Sequence, residues 1–563
     1  MSETTREKNT GIPESGNTLR TLLNNEAKRR GDSVAVSAKS GNRYINFSRK
    51  TLRENAHSLG AALRADGYEG KNIVIAGENG YIWGMVYLAV TCYCGTALPL
   101  SRSIDPNTFA DIASDCGSPL AILGDECTEI ATALKNKGIK TISFSQLGAL
   151  IIRGSKEKPG HHILTPGSVA ELAVSSGTEG KLKIAELTHA NLCFTLSQLS
   201  RMLPIGDSEV LYSVLPLTHC YERICGFLYP LFGGATVAYG EGLHHLSTNL
   251  REVRPTVILC VPFVLNRIYS KIWHNIEKKG IGEKVRRVIK LTNAAGPLKM
   301  TVRRQIFAEI HDTLGGRLSL LICGGSPADT ETISGLHDFG IRALQGYGMA
   351  ESAALISVNR RDLHEYSSVG LQTPDSLIDI YNIQDDGIGE IRYRGENIMK
   401  GYFGDPEATE SVITGGWLYT GDMGYFDRRG FLHIVGRKSN IITTKKGKQI
   451  FPEELEAALC RNPFVKSAVV VGIPNKENDD YDIVAVIYPD MKNLSEVYRE
   501  YLTDEHVSAE LTYAVREANR DRDSARRIGR LIIRNEDFLM NEDGKILRAG
   551  VAEEASHLTG KNV

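Results

Sequence analysis

The sequence predicts an α/β multidomain protein: a large N-terminal body of layered α/β subdomains, closing in a small β-rich subdomain, then a small α+β C-terminal domain. Three observations lead there. The chain has 563 residues, more than one hydrophobic core of about 100–200 residues absorbs. Apolar strand-like runs alternate with helical patterns from Arg43 through the run ending at Gly325, the alternation of a layered α/β domain. After Asp379 the texture changes to short strands punctuated by DG, RG and GG turns.

The elements follow in order. RYINF from Arg43 reads as a strand, and the next segment carries Leu52, Ala56, Leu59 and Leu63 on one helical face. NIVIAG is a strand. Tyr81 to Leu100 is twenty residues without a charge, long enough to span a bilayer. It holds Gly84, Thr91, Gly95, Thr96 and Pro99 and ends in a β-type run, so it is read as a buried helix turning into a buried strand. VLYSVLPL, ATVAYG, TVILCVP and LSLLICGG continue the strand pattern, and IDIYNIQDDGIGEIRYRG with GYFDRRGFLHIVG make the β-rich part. The expected domains are 1–436, with the β-rich subdomain at about 379–436, and 437–563.

Sixty-six Lys plus Arg face sixty-seven Asp plus Glu, a formal net charge of −1, which supplies no field to hold a polyanion, so nucleic acid is not expected as a partner. Ten scattered cysteines lack the spacing of a disulfide framework or a metal ligand set. Reduced, mostly buried thiols are expected. The polar start MSETTREKNTGIPESGN has no apolar signal core, which favours a cytoplasmic location with at most peripheral membrane association.

Residues 173–191, AVSSGTEGKLKIAELTHAN, follow an apolar run from Val169 to Val174 that only Glu171 interrupts. Ser175, Ser176, Gly177, Thr178 and Gly180 crowd into six positions, with Lys181 and Lys183 behind them. Glycines let backbone amides approach an anion, hydroxyls donate to phosphate oxygens and lysine adds a compact charge. The Walker spacing is absent. Taken alone, an ordinary Ser/Thr/Gly surface loop reads as well as a polyphosphate cradle.

The segment resembles the signature [ST]SGT[TS]G-x-PKG-x-x-x-TH of the adenylate-forming superfamily, with Ser176, Gly177, Thr178, Gly180, Lys183, Thr188 and His189 in register. Further motifs follow in the family's order. CGGSPAD, with Gly324, Gly325 and Ser326, resembles the adenine-contacting loop. QGYGMAES, with Gly346, Tyr347, Gly348 and Glu351, resembles the segment whose tyrosine stacks on adenine and whose glutamate binds magnesium. GWLYTGD ends in Asp422, placed as the ribose-gripping aspartate, with Arg437 as its usual partner. NEDGKILRAG holds Lys545, placed as the lysine that reaches the α-phosphate and the substrate carboxylate. LPLTHCYER, with His219, and VPFVLNRIYSKI resemble long-chain acyl-CoA synthetases.

The resemblance implies ATP-dependent activation of a carboxylic acid, of medium to long chain, through acyl-AMP to a coenzyme A thioester. ATP, Mg2+ and coenzyme A are the implied cofactors and co-substrates. Thr178, Glu351, His219 and Lys545 carry catalysis, Thr178 and Glu351 hold the metal, and the serines, glycines and lysine of the motifs bind the nucleotide. A mobile C-terminal domain turning at Ser439 and Asn440 presents Gly447 to the thiol. Two other readings stay open: loading of a separate acyl carrier protein, and a sensor that binds nucleotide or acyl ligand without turnover.

The sequence also departs from the pattern. Glu179 places a carboxylate in the phosphate loop, where like charge repels. Leu182 and Ile184 flank Lys183 in place of Pro and Gly, Ala350 replaces a threonine, and Ser439 and Asn440 replace a lysine and an acid. Glu222 and Arg223 fit either an adjacent charge pair on a helix or the acyl site. Seven arginines between residues 516 and 534 read as a solvated helix face ahead of a coenzyme A phosphate contact. The His-His pairs at 161 and 244 are read as surface residues.

Overall fold

The computed structural model describes residues 12, 16–157, 162–176, 182–294, 300–445, 448–475, 480–520, 522–540, 546–548, 550–558 and 561–562. Gly177, Thr178, Glu179, Gly180, Lys181, Gly447, Lys545 and His161 lie outside them. The chain divides into two compact units, one of residues 1–177, 182–378 and 393–418, the other of 178–181, 379–392 and 419–563.

The first unit holds two large sheets. In the seven-stranded sheet the strands Lys140–Ser143, Leu120–Leu123, Asn72–Ala76, Thr96–Pro99 and Val169–Ser176 run side by side. Val169–Ser176 pairs antiparallel with Leu182–Thr188, and Gly401–Tyr402 adds to the far edge. The nine-stranded sheet has a parallel centre: Thr236–Tyr239, Val210–Ser213, Val257–Cys260, Leu320–Cys323 and Arg342–Tyr347. Parallel strands covered on both faces need continuous apolar runs, and VILC and LLIC are buried at every position.

The uncharged stretch from Tyr81 becomes the helix Tyr81–Tyr93 and the strand Thr96–Pro99, as expected. Twelve of the thirteen helical residues are buried, so this helix is apolar all round because protein surrounds it. Among the described residues no helix is long and apolar enough to cross a membrane. The amphipathic helix Arg49–Ala65 buries Leu52, Ala56, Leu59 and Leu63. Eight of the ten cysteines are buried, and all are free thiols.

His189 lies buried at the start of the helix His189–Met202, where its Nδ1 accepts the Leu19 amide at 3.2 Å. Burial pushes its imidazole down to about 3. The neutral ring thus ties down the helix Leu19–Arg30.

In the second unit the hairpin Val465–Asn475 and Asp480–Pro489 is joined by Arg530–Ile533, parallel to the second strand, and by Lys561–Asn562. Side-chain alternation splits two cores across this sheet. Ala468, Val470, Ile483 and Ala485 pack with the helices Pro452–Leu459 and Asp504–Ala518. Val469, Val484 and Val486 pack with the helix Val551–His557.

Among the described residues of the arginine-rich stretch, only the start is α-helical, with a short 3-10 turn at Ser524–Arg526. The helix ends at Ala518, because the sequence then turns before the strand Arg530–Ile533. Arg520, Arg522, Arg526 and Arg534 face Glu517, Glu454, Asp386 and Glu554. The Arg520 and Arg526 pairs are exposed, whereas Arg522 and Arg534 are half-buried. His244 and His245 are exposed, but His162 is not a free surface residue: its ring is largely covered and meets Glu69 at 3.0 Å.

Candidate active site

Candidate residues of the first unit gather at two places. The first is the carboxyl edge of the parallel strands, where open α/β sheets bind ligands. Cys260, Cys323 and Gln345 stand in register on adjacent strands; loops leave the sheet at Val261 and Gly324, while Gly346 and Tyr347 continue their strand and pair with Val358 and Ser357. Gly324 is glycine for space, since a Cβ there would lie 2.8 Å from the Tyr221 ring. Gly325 takes φ +84°, a left-handed turn that suits glycine. A Cβ on Gly348 would strike the Ala354 carbonyl at 2.2 Å. Gln345 locks the two loops, accepting from the Ala328 amide at 2.9 Å and donating to Tyr366 O at 2.9 Å.

The second is the hairpin. Ser175 pairs with Lys183 and Ser176 with Leu182, so the strands bring the serines and the lysine to the residues that bound 177–181. The short helix Ala350–Ser352 packs beside both strands and carries Glu351, which is buried. Residues 397–402 hold this helix in place. Asn397 Nδ2 donates to Ser352 O and Leu355 O, both at 2.7 Å, and the Met399 amide donates to Glu351 O at 2.8 Å. Ala353 and Ala354, just after Glu351, have positive φ of 44° and 69°, strain that a rigid surround must over-determine.

The Tyr402 hydroxyl donates to Glu351 Oε1 at 2.8 Å, and Lys183 Nζ lies 5.0 Å from the centre of the Tyr402 ring. One carboxylate matches the protein's share of a magnesium site, since this ion takes few protein oxygens and completes its shell with water and phosphate. Among the described residues no group of three His, Cys, Asp or Glu stands ready for a metal.

His219 closes a turn after the strand Val210–Ser213, its amide donating to Pro216 O at 3.0 Å. Glu222 and Arg223 are not the adjacent charge pair on a helix that one reading expected: both are completely buried on the π-helix Glu222–Leu228, and each has another partner. Arg223 binds Glu171 at two points and donates to Leu217 O and Thr218 O at 2.9 and 2.7 Å. It thereby fixes the turn that carries His219. Burial opposes the arginine charge, but Glu171 outweighs it and holds the guanidinium protonated. Glu222 accepts from the Ser213 hydroxyl. Desolvation pushes its carboxyl up to about 8, with only the Ser213 hydroxyl acting the other way.

In the second unit Asp422 and Arg437 stand opposite each other on antiparallel strands, Oδ1 and Nε 2.7 Å apart. Ser439 and Asn440 lie on the 3-10 turn Lys438–Asn440. Asn440 Nδ2 donates to Glu453 Oε1 at 2.6 Å, and Lys438 pairs with Glu390 at 2.6 Å. Arg548, three residues after Lys545, binds Glu456 at 2.7 and 2.8 Å. Met540 bridges Ile546 across the segment that holds the lysine.

Sequence reasoning missed Tyr402, Asn397 and the role of Glu171. A lone acid inside an apolar strand was the available signal, since such a charge requires a partner.

Glycine loops at the carboxyl edge of parallel strands, beside a serine–lysine hairpin and a buried carboxylate, define a nucleotide-binding α/β protein. The chain belongs to the AMP-binding enzyme family, whose model matches residues 23–403. It is similar to the peroxisomal long chain acyl-CoA synthetase 6 of Arabidopsis thaliana, 32% identical over 389 residues that cover 66% of this chain and 54% of that protein. It is also similar to long-chain-fatty-acid–CoA ligase 5 of Mus musculus, 27% identical over 502 residues, 80% of this chain and 72% of that one. The chain spans about half the length of the Arabidopsis relatives it matches, 54% and 57%.

Among solved structures, an anthranilate CoA ligase in complex with anthranoyl-AMP superposes with TM-score 0.78 at 17% identity, covering 97% of this chain and 99% of that one. The o-succinylbenzoate coenzyme A synthetase of Bacillus subtilis, in complex with ATP and magnesium ion, gives 0.74 at 20% identity, covering 94% and 98%. At these identities the likeness is one of fold, and the fold is that of the adenylate-forming enzymes.

Proposed function

We propose that this enzyme activates a carboxylic acid, a medium- to long-chain fatty acid, by forming acyl-AMP from ATP and passing the acyl group to the thiol of coenzyme A. The observation that carries the reading is the assembly of Glu351, Tyr402 and Lys183 beside the Ser175–Ser176 strand end, within the segment matched to the AMP-binding family. The long-chain names of the relatives and the LPLTHCYER segment support the choice of acid.

The chemistry is in-line attack of a carboxylate on the α-phosphate with pyrophosphate leaving. Charge neutralisation and positioning dominate such a reaction. Lys183, Ser175 and Ser176 supply charge and hydroxyl donors toward the polyphosphate, with Thr178 assigned beside them. Gly324, Gly325, Ser326, Gly346, Tyr347 and Gly348 form the adenine edge. Asp422 with Arg437 is assigned the ribose hydroxyls, and Lys545 the charge that develops at the α-phosphate. A magnesium ion on Glu351 neutralises phosphate charge when bound. His219, braced through Arg223, is assigned to the acyl end.

The test is pyrophosphate release from ATP and magnesium across acids of rising chain length, with and without coenzyme A, and with Lys545→Ala as control. Release that peaks with long chains, yields AMP and acyl-CoA and disappears in the variant supports the reading. Tight ATP binding without release for any acid sinks it and favours a sensor. Acyl-AMP formed but handed only to a carrier protein changes the acceptor.

A further inference from the structure

Tyr402 belongs to none of the motifs read from the sequence, yet it lies between two residues assigned to ATP. Backbone pairing fixes its place. Gly401 and Tyr402 stand opposite Glu186 and Ala185, and on either side Lys400 N donates to Glu186 O at 2.9 Å and Phe403 N to Ile184 O at 2.7 Å. The Tyr402 amide is held by Thr409 Oγ1 at 2.8 Å. Lys183 is two residues before Ala185 on the same strand and so shares its face. The side chain is buried, its hydroxyl on Glu351 Oε1 and its ring face near the Lys183 ammonium.

We propose that Tyr402 is a positioning residue that orients Glu351 as a divalent-cation ligand and, through its ring, restrains Lys183 toward the phosphates; this rests on the ligase reading above. A hydroxyl on Oε1 fixes the carboxylate rotamer, so that Oε2 would be the oxygen offered to a bound cation. Partners of this kind tune affinity by about 10- to 100-fold when removed. The ring separately holds the lysine by cation–π attraction.

Two variants separate the two arms. Tyr402→Phe keeps the ring and removes the hydroxyl; Tyr402→Leu removes both. Mn2+ binding to the full-length protein, followed by electron paramagnetic resonance with α,β-methylene-ATP, reads the site without turnover. Mg2+ dependence of pyrophosphate release reads it in the reaction. The expected result is an Mn2+ dissociation constant about 10-fold higher in the Phe variant, with nucleotide affinity within about twofold. The Leu variant weakens both. Unchanged Mn2+ affinity in the Phe variant, or no Mn2+ binding by the wild type, overturns the proposal. Mn2+ binding that responds to Tyr402→Phe in a protein that releases no pyrophosphate rejects the ligase reading and leaves the positioning role standing.

Discussion

Arg223 and Glu171 form a two-point ion pair in the interior of the first unit, Nε to Oε2 at 2.7 Å and Nη2 to Oε1 at 2.8 Å, with Tyr87 Oη donating to the same carboxylate at 2.6 Å. The arginine comes from a π-helix and the acid from a strand 52 residues earlier. The remaining guanidinium nitrogen holds the carbonyls just before His219. A charge placed here for packing therefore also sets the position of a candidate catalytic residue.

Removing one partner leaves the other charged and buried, which costs about 3–5 kcal/mol. Arg223→Met is expected to lower stability by that amount in urea unfolding followed by tryptophan fluorescence. Adding Glu171→Gln is expected to restore part of it, because the orphaned charge goes. A loss below about 1 kcal/mol would mean that Tyr87 alone satisfies Glu171.

Glu222 makes a second prediction, of opposite sign to ordinary acid denaturation. Its folded carboxyl titrates at about 8, against 4.5 for the free group. Between those values the folded state keeps a proton that the unfolded state has lost, so this group's contribution to stability falls as pH rises. Among the described residues its neighbours are Ser213, Tyr239, Cys225 and Cys260, none of them a cation. Glu222→Gln is expected to gain stability relative to the wild type from pH 5 to pH 8 and to level off above, measured as the difference in urea midpoint. A flat difference would place the carboxyl in its ionised form at neutral pH.

Asp422 and Arg437 make a third. Asp422→Asn keeps the shape of the side chain and removes the charge that faces Arg437 at 2.7 Å. Hydrogen bonds to a charged group carry about 1.5–3 kcal/mol, so kcat/KM for ATP is expected to fall about 10- to 100-fold. The urea midpoint is expected to move little, because Arg437 is partly solvated. An unchanged kcat/KM with a lowered midpoint would reduce the pair to a strand contact.

Much of the fold could be read from period and punctuation. Leu52, Ala56, Leu59 and Leu63 repeat at helical spacing and are all buried, and VILC and LLIC became buried parallel strands. Gly324 and Gly348 stand out in the sequence, but the crowding by Tyr221 and Ala354 that admits only glycine there is not visible along the chain. Tyr402 could not be found in this way. GY after MK is an unremarkable dipeptide until Gly401 and Tyr402 are laid against Glu186 and Ala185.

The sequence by itself determined the α/β class and the order of the motifs, because hydrophobic period and glycine placement are local properties that survive without knowledge of neighbours. Only the tertiary structure decided that Glu171 answers Arg223, that Glu222 is buried against the Ser213 hydroxyl, and that Tyr402 stands between Glu351 and Lys183. A buried charge or hydroxyl is defined by what lies across from it. Those partners sit 52, 9 and 51 residues away along the chain, a separation that the packing of helical segments against strands closes and local pattern does not record.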